Sequence, residues 1–365
     1  MRAFVIDKNT ELAELASKLR DDAPEPQASK NEVLVDVYAA GANFFDILQC
    51  AGKYQVKPPH PFVPGAELAG IISANSPIPP GCPYEPGTRV FGAAQGSYGE
   101  RVKVDWQQLV EVPEGMSLEE AATLFITWPT SYAALKFRAD IQPGEWLLVH
   151  AAAGGVGLAA VQLGKKMGAK VIATAGSAEK LDICKRLGGA DEVLNYRDKD
   201  WAQKVKGEQV FEYQFVESVV HRLIVGPWDA FAEITGGKGA DVVYDPVGLI
   251  NASLKCIAWN GRIIVVGFAA GQIEKVPANL LLLKNCAVTG VHWGRYIREE
   301  PDKAFETWGA LLDWFGSGEI KPVIFDPIYE GLESVPRALG DLAQRKTWGK
   351  AVVRIRKEKG QQGKL

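Results

Sequence analysis

The sequence has little net charge and few cysteines. Its 365 residues include 41 Lys and Arg against 44 Asp and Glu, a formal net charge of −3. This balance gives no reason to expect nucleic acid or an anionic membrane as a partner. The five cysteines are Cys50, Cys82, Cys184, Cys256 and Cys286. Their odd number and wide spacing disfavour zinc ribbons and a secreted disulfide framework, and favour reduced thiols in a cytosol-like compartment.

The sequence also lacks the composition of a disordered chain. Hydrophobic residues make up 47% and charged residues 23%, which is close to the average of globular proteins. At this length the chain is expected to form two domains, each large enough to bury a core.

No segment is predicted to act as a leader or to span a membrane. The first apolar run, residues 3–6, is too short for a signal peptide, and acidic residues follow at once. Residues 146–164 carry no Asp, Glu, Lys or Arg and are long enough to cross a bilayer. However, Gly154, Gly155 and Gly157 interrupt this run. We therefore predict a strand, a turn and a helix there, and no membrane contact.

The pattern along the chain changes near residue 117. Residues 1–115 contain short β-rich runs separated by Pro and Gly clusters, with Asn43 as the N-cap of a short helix. Residues 117–120 form a capping box that opens a helix, and a break is predicted at Trp128 and Pro129. Strands and helices then alternate, which predicts a parallel sheet with helices on both faces. The strands predicted in that region are 147–151, 170–175, 192–194, 241–244, 262–267 and 287–291.

A glycine-rich turn is the most informative motif. Residues 147–157 end a predicted strand and open a predicted helix, which is the context that a dinucleotide-binding turn requires. Gly154 would let the backbone approach a pyrophosphate, and Gly157 would let the helix pack closely on its strand. The N–H groups near Gly155 and Val156 would hold the phosphates, helped by the helix dipole. An alanine replaces the first glycine of GxGxxG, so the match is imperfect. We interpret the turn as a cofactor site rather than an ordinary glycine turn.

The strand after this turn bears on which cofactor binds. A site for NADH would carry an Asp or Glu there to bond the ribose 2′-hydroxyl, but this sequence has Gly176 and Ser177, followed by Lys180. Ser177 can donate a hydrogen bond and Lys180 brings a positive charge, and both suit a 2′-phosphate. In the alternative interpretation, Ser177 only caps a helix and Lys180 only faces solvent. We predict NADPH.

Further motifs resemble a known family. They lie in residues 41–54, 61–70, 235–248 and 349–353. With the glycine turn, they resemble the quinone oxidoreductase (zeta-crystallin-like) branch of the medium-chain dehydrogenase/reductases, over nearly the whole chain except about residues 207–232. The resemblance implies an α/β fold, in which a Rossmann doubly wound parallel sheet is inserted into a GroES-like β-rich catalytic domain. It also implies a cofactor cleft between the two domains and a homodimer.

The resemblance assigns domains and individual residues as well. It implies a split GroES-like domain at 1–122 and 293–365, and a Rossmann NADPH-binding domain at 123–292. Tyr54 matches the family tyrosine near the nicotinamide and the substrate, and Tyr196 matches a position beside the adenosine phosphate. The residues that match the segments lining the nicotinamide are Val266, Gly267, Phe268, Val291, His292 and Trp293.

The sequence lacks the zinc ligands of related alcohol dehydrogenases. By the same resemblance, the places of the catalytic ligands hold Asn43, Ala66 and a residue near Thr127. Asn and Ala cannot replace a thiolate and an imidazole as zinc ligands. The cysteine-rich lobe that binds structural zinc is missing too. We predict no zinc.

Without a Lewis acid, alcohol oxidation is disfavoured, whereas a small quinone or enone can accept a hydride from NADPH at carbon. Tyr54 or Asn43 is predicted to hydrogen-bond the acceptor oxygen, as a proton donor or an electrostatic stabiliser. Asp46 is expected to orient its neighbours. The resulting hypothesis is an NADPH-dependent quinone oxidoreductase. The alternatives are an NADPH-dependent enoyl or 2-alkenal reductase and a redox-inactive NADPH-binding protein.

Two segments leave questions open. At about 207–232 the chain is longer than the family pattern, and Phe211, Phe215 and Val219 recur every four residues, as on an apolar helix face. This segment covers the cleft, contacts a second subunit, forms a surface excursion or is translated non-coding material. The C-terminal Gly-Lys-Leu, residues 363–365, resembles a peroxisomal address with Gly in place of Ser. Cytoplasm is the predicted location, with the peroxisome as the alternative.

Overall fold

The computed structural model describes residues 1–206, 234–269 and 271–358. The predicted insertion at 207–232 and the C-terminal Gly-Lys-Leu, residues 363–365, lie outside these residues. The described residues cluster into two compact units. The first comprises Met1–Ser131, Gly154–Ala159 and the described residues from Trp293 onward, and the second comprises Tyr132–Ala153 and the described residues of Ala160–His292. The domain boundaries 1–122, 123–292 and 293–365 stay a prediction.

Strands and helices have the following bounds among the described residues. The strands are β1 Ala3–Phe4, β2 Leu19–Arg20, β3 Glu32–Gly41, β4 Glu67–Ile72, β5 Arg89–Ala93, β6 Arg101–Asp105, β7 Leu109–Glu111, β8 Trp146–Val149, β9 Lys170–Ala175, β10 Glu192–Asn195, β11 Ala240–Asp245, β12 Ile257–Val265, β13 Ala287–Gly290, β14 Tyr329–Glu330 and β15 Val352–Arg354. The α-helices are α1 Phe44–Cys50, α2 Leu118–Ala121, α3 Thr127–Ala133, α4 Gly155–Lys166, α5 Ala178–Arg186, α6 Trp201–Lys206, α7 Ile250–Cys256, α8 Ala278–Lys284, α9 Tyr296–Glu299, α10 Pro301–Gly316 and α11 Val335–Ala343.

The sheet of the first unit is mainly antiparallel. Its order is β14-β15-β3-β4-β5-β7, and β6 pairs with the other part of β3. Strand β3 alternates half-buried and buried residues along its first part, so one face of the sheet covers a core. Val33, Val35 and Val37 supply that face, against Leu68 and Val90 from the neighbouring strands. The last strand of the chain completes this sheet, because β15 pairs with β3.

The sheet of the second unit is parallel. Its order is β10-β9-β8-β11-β12-β13, and each neighbouring pair runs in the same direction. The chain moves outward from β8 to β10, then returns beside β8 and continues outward on the other side. This is the doubly wound order, and a ligand crevice is expected where the two halves diverge, at the carboxyl ends of β8 and β11. Residues Leu147, Leu148 and Val149 are fully buried, as in a strand covered on both faces.

One boundary predicted from the sequence is wrong. The helix break expected at Trp128 and Pro129 is absent there, because α3 begins at Thr127 and runs through both residues. Pro129 lies in the first turn, where a proline removes no helical hydrogen bond. The helix continues as a π-helical turn, Ala134–Arg138.

Candidate functional site

The glycine turn lies between β8 and α4, as predicted. Helix α4 begins at Gly155, and the Leu158 N–H donates to the Gly154 carbonyl at 2.8 Å. A Cβ on Gly155 would come to 3.3 Å from Thr127 Cγ2 and 3.4 Å from Lys350 Cδ. A side chain at this position would therefore press on both neighbours, and glycine keeps the helix N-terminus open. Because the first N–H groups of a helix have no partner within it, this turn suits a phosphate.

The structure brings together the four residues predicted around the adenosine phosphate. Ser177 is the N-cap of α5, and its Oγ accepts the N–H of Lys180 at 3.4 Å. Tyr196 lies over Gly176, since a Cβ there would be 2.4 Å from Tyr196 Oη. The hydroxyl hydrogen of Ser177 is not used by the cap, so capping and phosphate binding are compatible. The contacts of these residues with a cofactor stay predictions.

The segments predicted to line the nicotinamide follow adjacent strands of the parallel sheet. The Val266 N–H donates to the Asp245 carbonyl at 2.9 Å, and the Val291 N–H donates to the Val265 carbonyl at 3.1 Å. Val266, Gly267, Phe268, Val291 and His292 therefore follow the carboxyl ends of β12 and β13 in the second unit. This is the edge of the sheet where doubly wound folds bind their ligands.

Trp293 belongs to the first unit, where it is buried and stacks on Tyr296 with ring centroids 5.4 Å apart. Its role beside the nicotinamide stays a prediction.

The loop after β11 is organised by Asp245, which sequence reasoning did not select as a functional residue. One carboxylate oxygen accepts the N–H groups of Val247 and Gly248 at 2.9 Å each, and the other accepts that of Leu249 at 2.6 Å. Three backbone donors on one buried carboxylate fix the path of the loop. The signal in the sequence was an aspartate at the end of an apolar strand, followed by Pro246 and a glycine.

A buried charged network surrounds Asn43 in the first unit. Lys350 Nζ lies 2.5 Å from Asn43 Oδ1 and 2.6 Å from Glu67 Oε2. The Asn43 Nδ2 donates to Glu67 Oε2 and to the Gly41 carbonyl, both at 3.2 Å. Glu67 is fully buried, and its other oxygen accepts the Ile126 N–H at 2.9 Å. Both amide hydrogens of Asn43 thus have acceptors inside the protein, and its predicted hydrogen bond to a substrate stays a prediction.

Glu67 and Lys350 were not selected from the sequence as site residues. The available signal was a charged residue beside an apolar strand in each case, at the start of β4 and just before β15. Such charges are buried only when they are paired, but the sequence alone did not show which residues would pair.

Asp46 lies in the first turn of α1 and is fully buried. Its Oδ2 accepts the Asn43 N–H at 2.9 Å and the Tyr98 hydroxyl at 2.7 Å, while Oδ1 has no hydrogen-bond partner among the described residues. Burial raises the pKa of Asp46 to about 7, although the hydrogen bond from Tyr98 acts in the opposite direction. The carboxyl therefore anchors the start of α1, in keeping with the orienting role expected for it.

Tyr54 stacks on Phe45, with ring centroids 5.3 Å apart and an interplanar angle of 23°. Tyr54 is half-buried, so one part of it remains accessible. Burial, and to a lesser degree the charge of Asp46, raise the pKa of its phenol above the ordinary value. At neutral pH the phenol consequently keeps its proton and can donate a hydrogen bond.

A small pocket in the first unit joins the glycine turn to the charged network. It is lined by Thr123, Thr127, Trp128, Gly155, Leu158, Ala159, Val323 and Lys350. Thr127, which lies near one of the positions compared with a zinc ligand, therefore lines the same pocket as Lys350.

The positions compared with a zinc site do not provide a zinc donor set. Asn43 offers an amide oxygen that already faces the ammonium of Lys350, and Ala66 has no donor. Zinc takes Cys, His or carboxylate ligands. Among residues 1–206, 234–269 and 271–358, no three His, Cys, Asp or Glu side chains are grouped so that they could hold a metal ion. In the same residues, no helix is both long and apolar enough to cross a bilayer.

A second buried polar cluster lies in the second unit, after the end of β8. His150 Nδ1 lies 3.2 Å from Thr174 Oγ1, and its Nε2 lies 2.9 Å from Ser253 Oγ. The ring meets Trp201 edge-on, with centroids 5.1 Å apart. Burial lowers the pKa of His150, so the imidazole is neutral. The cluster is held by hydrogen bonds between neutral side chains.

Two family models match the chain. One is described as zinc-binding dehydrogenase and matches residues 155–315, and the other is described as alcohol dehydrogenase GroES-like domain and matches residues 29–114. With the parallel sheet of the second unit, these matches confirm the fold class predicted from the sequence.

Curated relatives and a solved structure are similar over most of the chain. The quinone oxidoreductase-like protein 2 homolog of Nematostella vectensis is 37% identical over 88% of this chain and 81% of its own. The rat quinone oxidoreductase-like protein 2 is 36% identical over 93% of this chain and 89% of its own. The crystal structure of Escherichia coli quinone oxidoreductase complexed with NADPH is 30% identical, with a TM-score of 0.80, over 97% of this chain and all of that one.

Proposed function

The chain belongs to the quinone oxidoreductase family of the medium-chain dehydrogenase/reductases, and we propose that it transfers hydride from NADPH to a quinone or a similar electron-poor acceptor. It is an oxidoreductase, as its relatives are. The observation that carries the proposal is the open glycine turn at Gly155, where the doubly wound sheet diverges. The choice of NADPH is supported by the Escherichia coli enzyme, whose structure is a complex with NADPH.

The residues at both ends of the proposed cofactor site fit a phosphorylated dinucleotide. The turn formed by Gly154, Gly155, Val156 and Gly157 would hold the pyrophosphate on the N-terminus of α4. Ser177 and Lys180, with Tyr196 over Gly176, would hold the 2′-phosphate, and no carboxylate stands at the end of β9 to repel it. NADPH supplies the hydride when it is bound.

Tyr54 is the residue we assign to the acceptor. Its phenol is protonated at neutral pH and partly accessible, and its ring is held flat against Phe45. It would donate a hydrogen bond to the acceptor oxygen on which negative charge develops. The Asn43 amide is less suited to this task, because its two hydrogens already go to Glu67 and the Gly41 carbonyl.

No step of this proposal uses zinc. The residues at the compared positions, Asn43 and Ala66, do not form a zinc donor set. Quinones and enones are reduced at carbon with the charge delocalised onto oxygen, so a hydrogen-bond donor is sufficient assistance.

One assay series tests the proposal. NADPH absorbance is followed with ortho-quinones, para-quinones, 2-alkenals and enoyl thioesters, and NADPH binding is measured separately by fluorescence. Turnover of quinones supports the proposal, and turnover of alkenals or enoyl thioesters alone would make the chain a double-bond reductase. Tight NADPH binding with no turnover would make it a binding protein.

The Tyr54→Phe variant tests the assigned donor. We expect kcat/KM for the best acceptor to fall about 10- to 100-fold, because a general acid or hydrogen-bond donor is lost. NADPH affinity is expected to stay the same. An unchanged kcat/KM would remove Tyr54 from the mechanism.

A homodimer is proposed from the surface of the second unit. Strand β13 is an edge of the parallel sheet among the described residues. In the same unit, Trp259 of β12 and Leu282 and Leu283 of α8 are 68%, 81% and 70% exposed. A second copy would cover both the edge and these side chains. Sedimentation of the wild-type chain and of the Leu282→Asp variant tests this, and a wild-type monomer would refute it. Cytoplasmic location is proposed as well, and imaging of a fusion with a free C-terminus would distinguish it from the peroxisome.

A further inference from the structure

Lys350 is held in a single placement. Its backbone N–H donates to the Val323 carbonyl at 2.8 Å, and its carbonyl accepts the Phe325 N–H at 2.9 Å. Its side chain is only 7% exposed and passes close to Gly41, where a Cβ would lie 3.1 Å from Lys350 Cε. Because both its backbone and its side chain are restrained, the ammonium of this lysine occupies one position.

That ammonium sets the orientation of one amide. Because Lys350 Nζ faces both Glu67 Oε2 and Asn43 Oδ1, the amide oxygen must point to the ammonium and the amide nitrogen to the carboxylate. A flipped amide would set its N–H groups against the ammonium and its oxygen against the carboxylate. Glu67 and Lys350 therefore allow only one orientation of the Asn43 side chain.

Asn43 in turn lies at the start of the helix whose side chain stacks on Tyr54. Its N–H donates to Asp46 Oδ2 at 2.9 Å, and its carbonyl accepts the Asp46 N–H at 3.1 Å. Between these two residues in the first turn, Phe45 provides the ring on which Tyr54 stacks. All these contacts lie within the first unit.

We propose that Lys350 is a positioning residue for Tyr54, acting through the orientation of Asn43 and the first turn of α1. This inference rests on the proposed function, since Tyr54 is the donor assigned there. It adds that a buried ion pair, remote in sequence, holds that donor in place. Loss of the ammonium would release the Asn43 amide and shift the Phe45 ring, and Tyr54 would lose its alignment with the acceptor.

The first arm of the test is a double-mutant cycle. Lys350→Met is expected to lower kcat about ten-fold, the scale of loss that a misplaced catalytic group produces, with NADPH affinity unchanged. In the Tyr54→Phe background the same change is expected to cost no more than about two-fold, because its route of action is already gone. An equal loss in both backgrounds would overturn the proposal, since a general structural defect acts independently of Tyr54.

The second arm needs no turnover. The chain is labelled with fluorotyrosine, and the resonance of Tyr54 is assigned from its disappearance in Tyr54→Phe. Lys350→Met is expected to shift or broaden this resonance, and Lys350→Arg, which keeps the charge, is expected to restore it at least in part. An unmoved Tyr54 resonance in a folded Lys350→Met protein would refute the proposal.

Two further variants complete the design. Lys103→Met is the matched control, because Lys103 is a lysine of the same unit that is 46% exposed and pairs with Glu32 at 3.3 Å. It should change neither kcat nor the resonance. If Lys350→Met does not fold, the double variant Glu67→Gln/Lys350→Met replaces it, since it removes the ammonium without leaving the carboxylate of Glu67 buried and unpaired. A wild-type chain that turns over no acceptor would refute the proposed function, while the fluorine spectra would still decide the role of Lys350.

Discussion

Each unit buries a polar cluster, and the two clusters are built differently. The first unit buries charge, with Glu67 and Lys350 paired around an amide. The second buries a neutral cluster, in which His150 lies between two hydroxyls, one of them that of Ser253. A buried charge is tolerated only when its partner is present, whereas a buried hydroxyl or imidazole needs only a hydrogen bond. The Glu67–Lys350 cluster therefore depends on single charges, and the His150 cluster depends on single hydrogen bonds.

Each unit also buries an aspartate, and the two aspartates differ in the hydrogen bonds that they accept. Asp245 in the second unit receives three backbone N–H groups from the loop it organises. Asp46 in the first unit receives one backbone N–H and the Tyr98 hydroxyl, and within the part of the chain that the structure describes its other oxygen has no hydrogen-bond partner. Burial is therefore less well compensated at Asp46, in agreement with its raised pKa.

The largest change in the free energy of unfolding is expected when one charge of the buried pair in the first unit is removed. Glu67→Gln leaves the Lys350 ammonium buried without its carboxylate, and we expect the free energy of unfolding to fall by about 3–5 kcal/mol. The double variant Glu67→Gln/Lys350→Met removes both charges and should be more stable than the single variant. Urea unfolding measures both, and a double variant less stable than the single one would contradict the prediction.

The pH dependence of stability should differ between the units. In the folded protein the pKa of Asp46 is raised above its unfolded value. Its contribution to stability is therefore complete at low pH and is lost as the pH rises through about 7. Between about pH 5 and pH 8 we expect a loss of roughly 3 kcal/mol from this group.

His150 should act in the reverse sense, because burial lowers its pKa in the folded protein. Its contribution is present at high pH and is lost as the pH falls and the unfolded imidazole takes up a proton. Comparing the pH slopes of wild type and Asp46→Asn isolates the carboxyl, since His150 is unchanged in both. Identical slopes would show that Asp46 does not titrate in this range.

A single hydrogen bond should matter less in the second unit. Ser253→Ala leaves the Nε2 of His150 without its partner, and we expect a loss of about 1–2 kcal/mol in the free energy of unfolding. Chemical denaturation is the measurement. If the free energy of unfolding fell as much as in Glu67→Gln, losing one hydrogen bond from the neutral cluster would cost as much as losing one charge from the charged cluster.

The smallest change in the free energy of unfolding is expected for an exposed ion pair. Lys103→Met breaks a partly exposed pair with Glu32, and the expected change is within about 0.5 kcal/mol. If this variant were destabilised as much as Glu67→Gln, burial would not be the reason for the difference between the pairs.

The sequence predicted best what local interactions determine. Strand β9 has its predicted bounds, and Asn43 and Ser177 precede helices as expected of cap residues. These signals depend on a few neighbouring residues. The break was misplaced at Trp128 and Pro129 because a proline in the first turn of a helix looks, in sequence, like a proline that ends a helix.

The candidate site was predicted only in part for the same reason. The glycine turn and the segment from Gly176 to Lys180 are continuous in sequence and were recognised from their spacing. Asn43 and Lys350 are 307 positions apart, and no periodicity relates them. Their contact depends on the pairing of β15 with β3, which is a property of the folded sheet.

That pairing also has a consequence for the order of events during synthesis. The chain emerges from its N-terminus, so β3, β4 and Glu67 exist long before β15 and Lys350. All described residues of the second unit are made in between. Until the final segment arrives, residues 39–41 of β3 lack the strand that pairs with them on that edge, and the carboxylate of Glu67 has no ammonium. The first unit is therefore begun before the second and finished after it, and a ribosome stalled just short of residue 350 would hold a chain in which the described residues of the second unit are made while β3 still lacks β15.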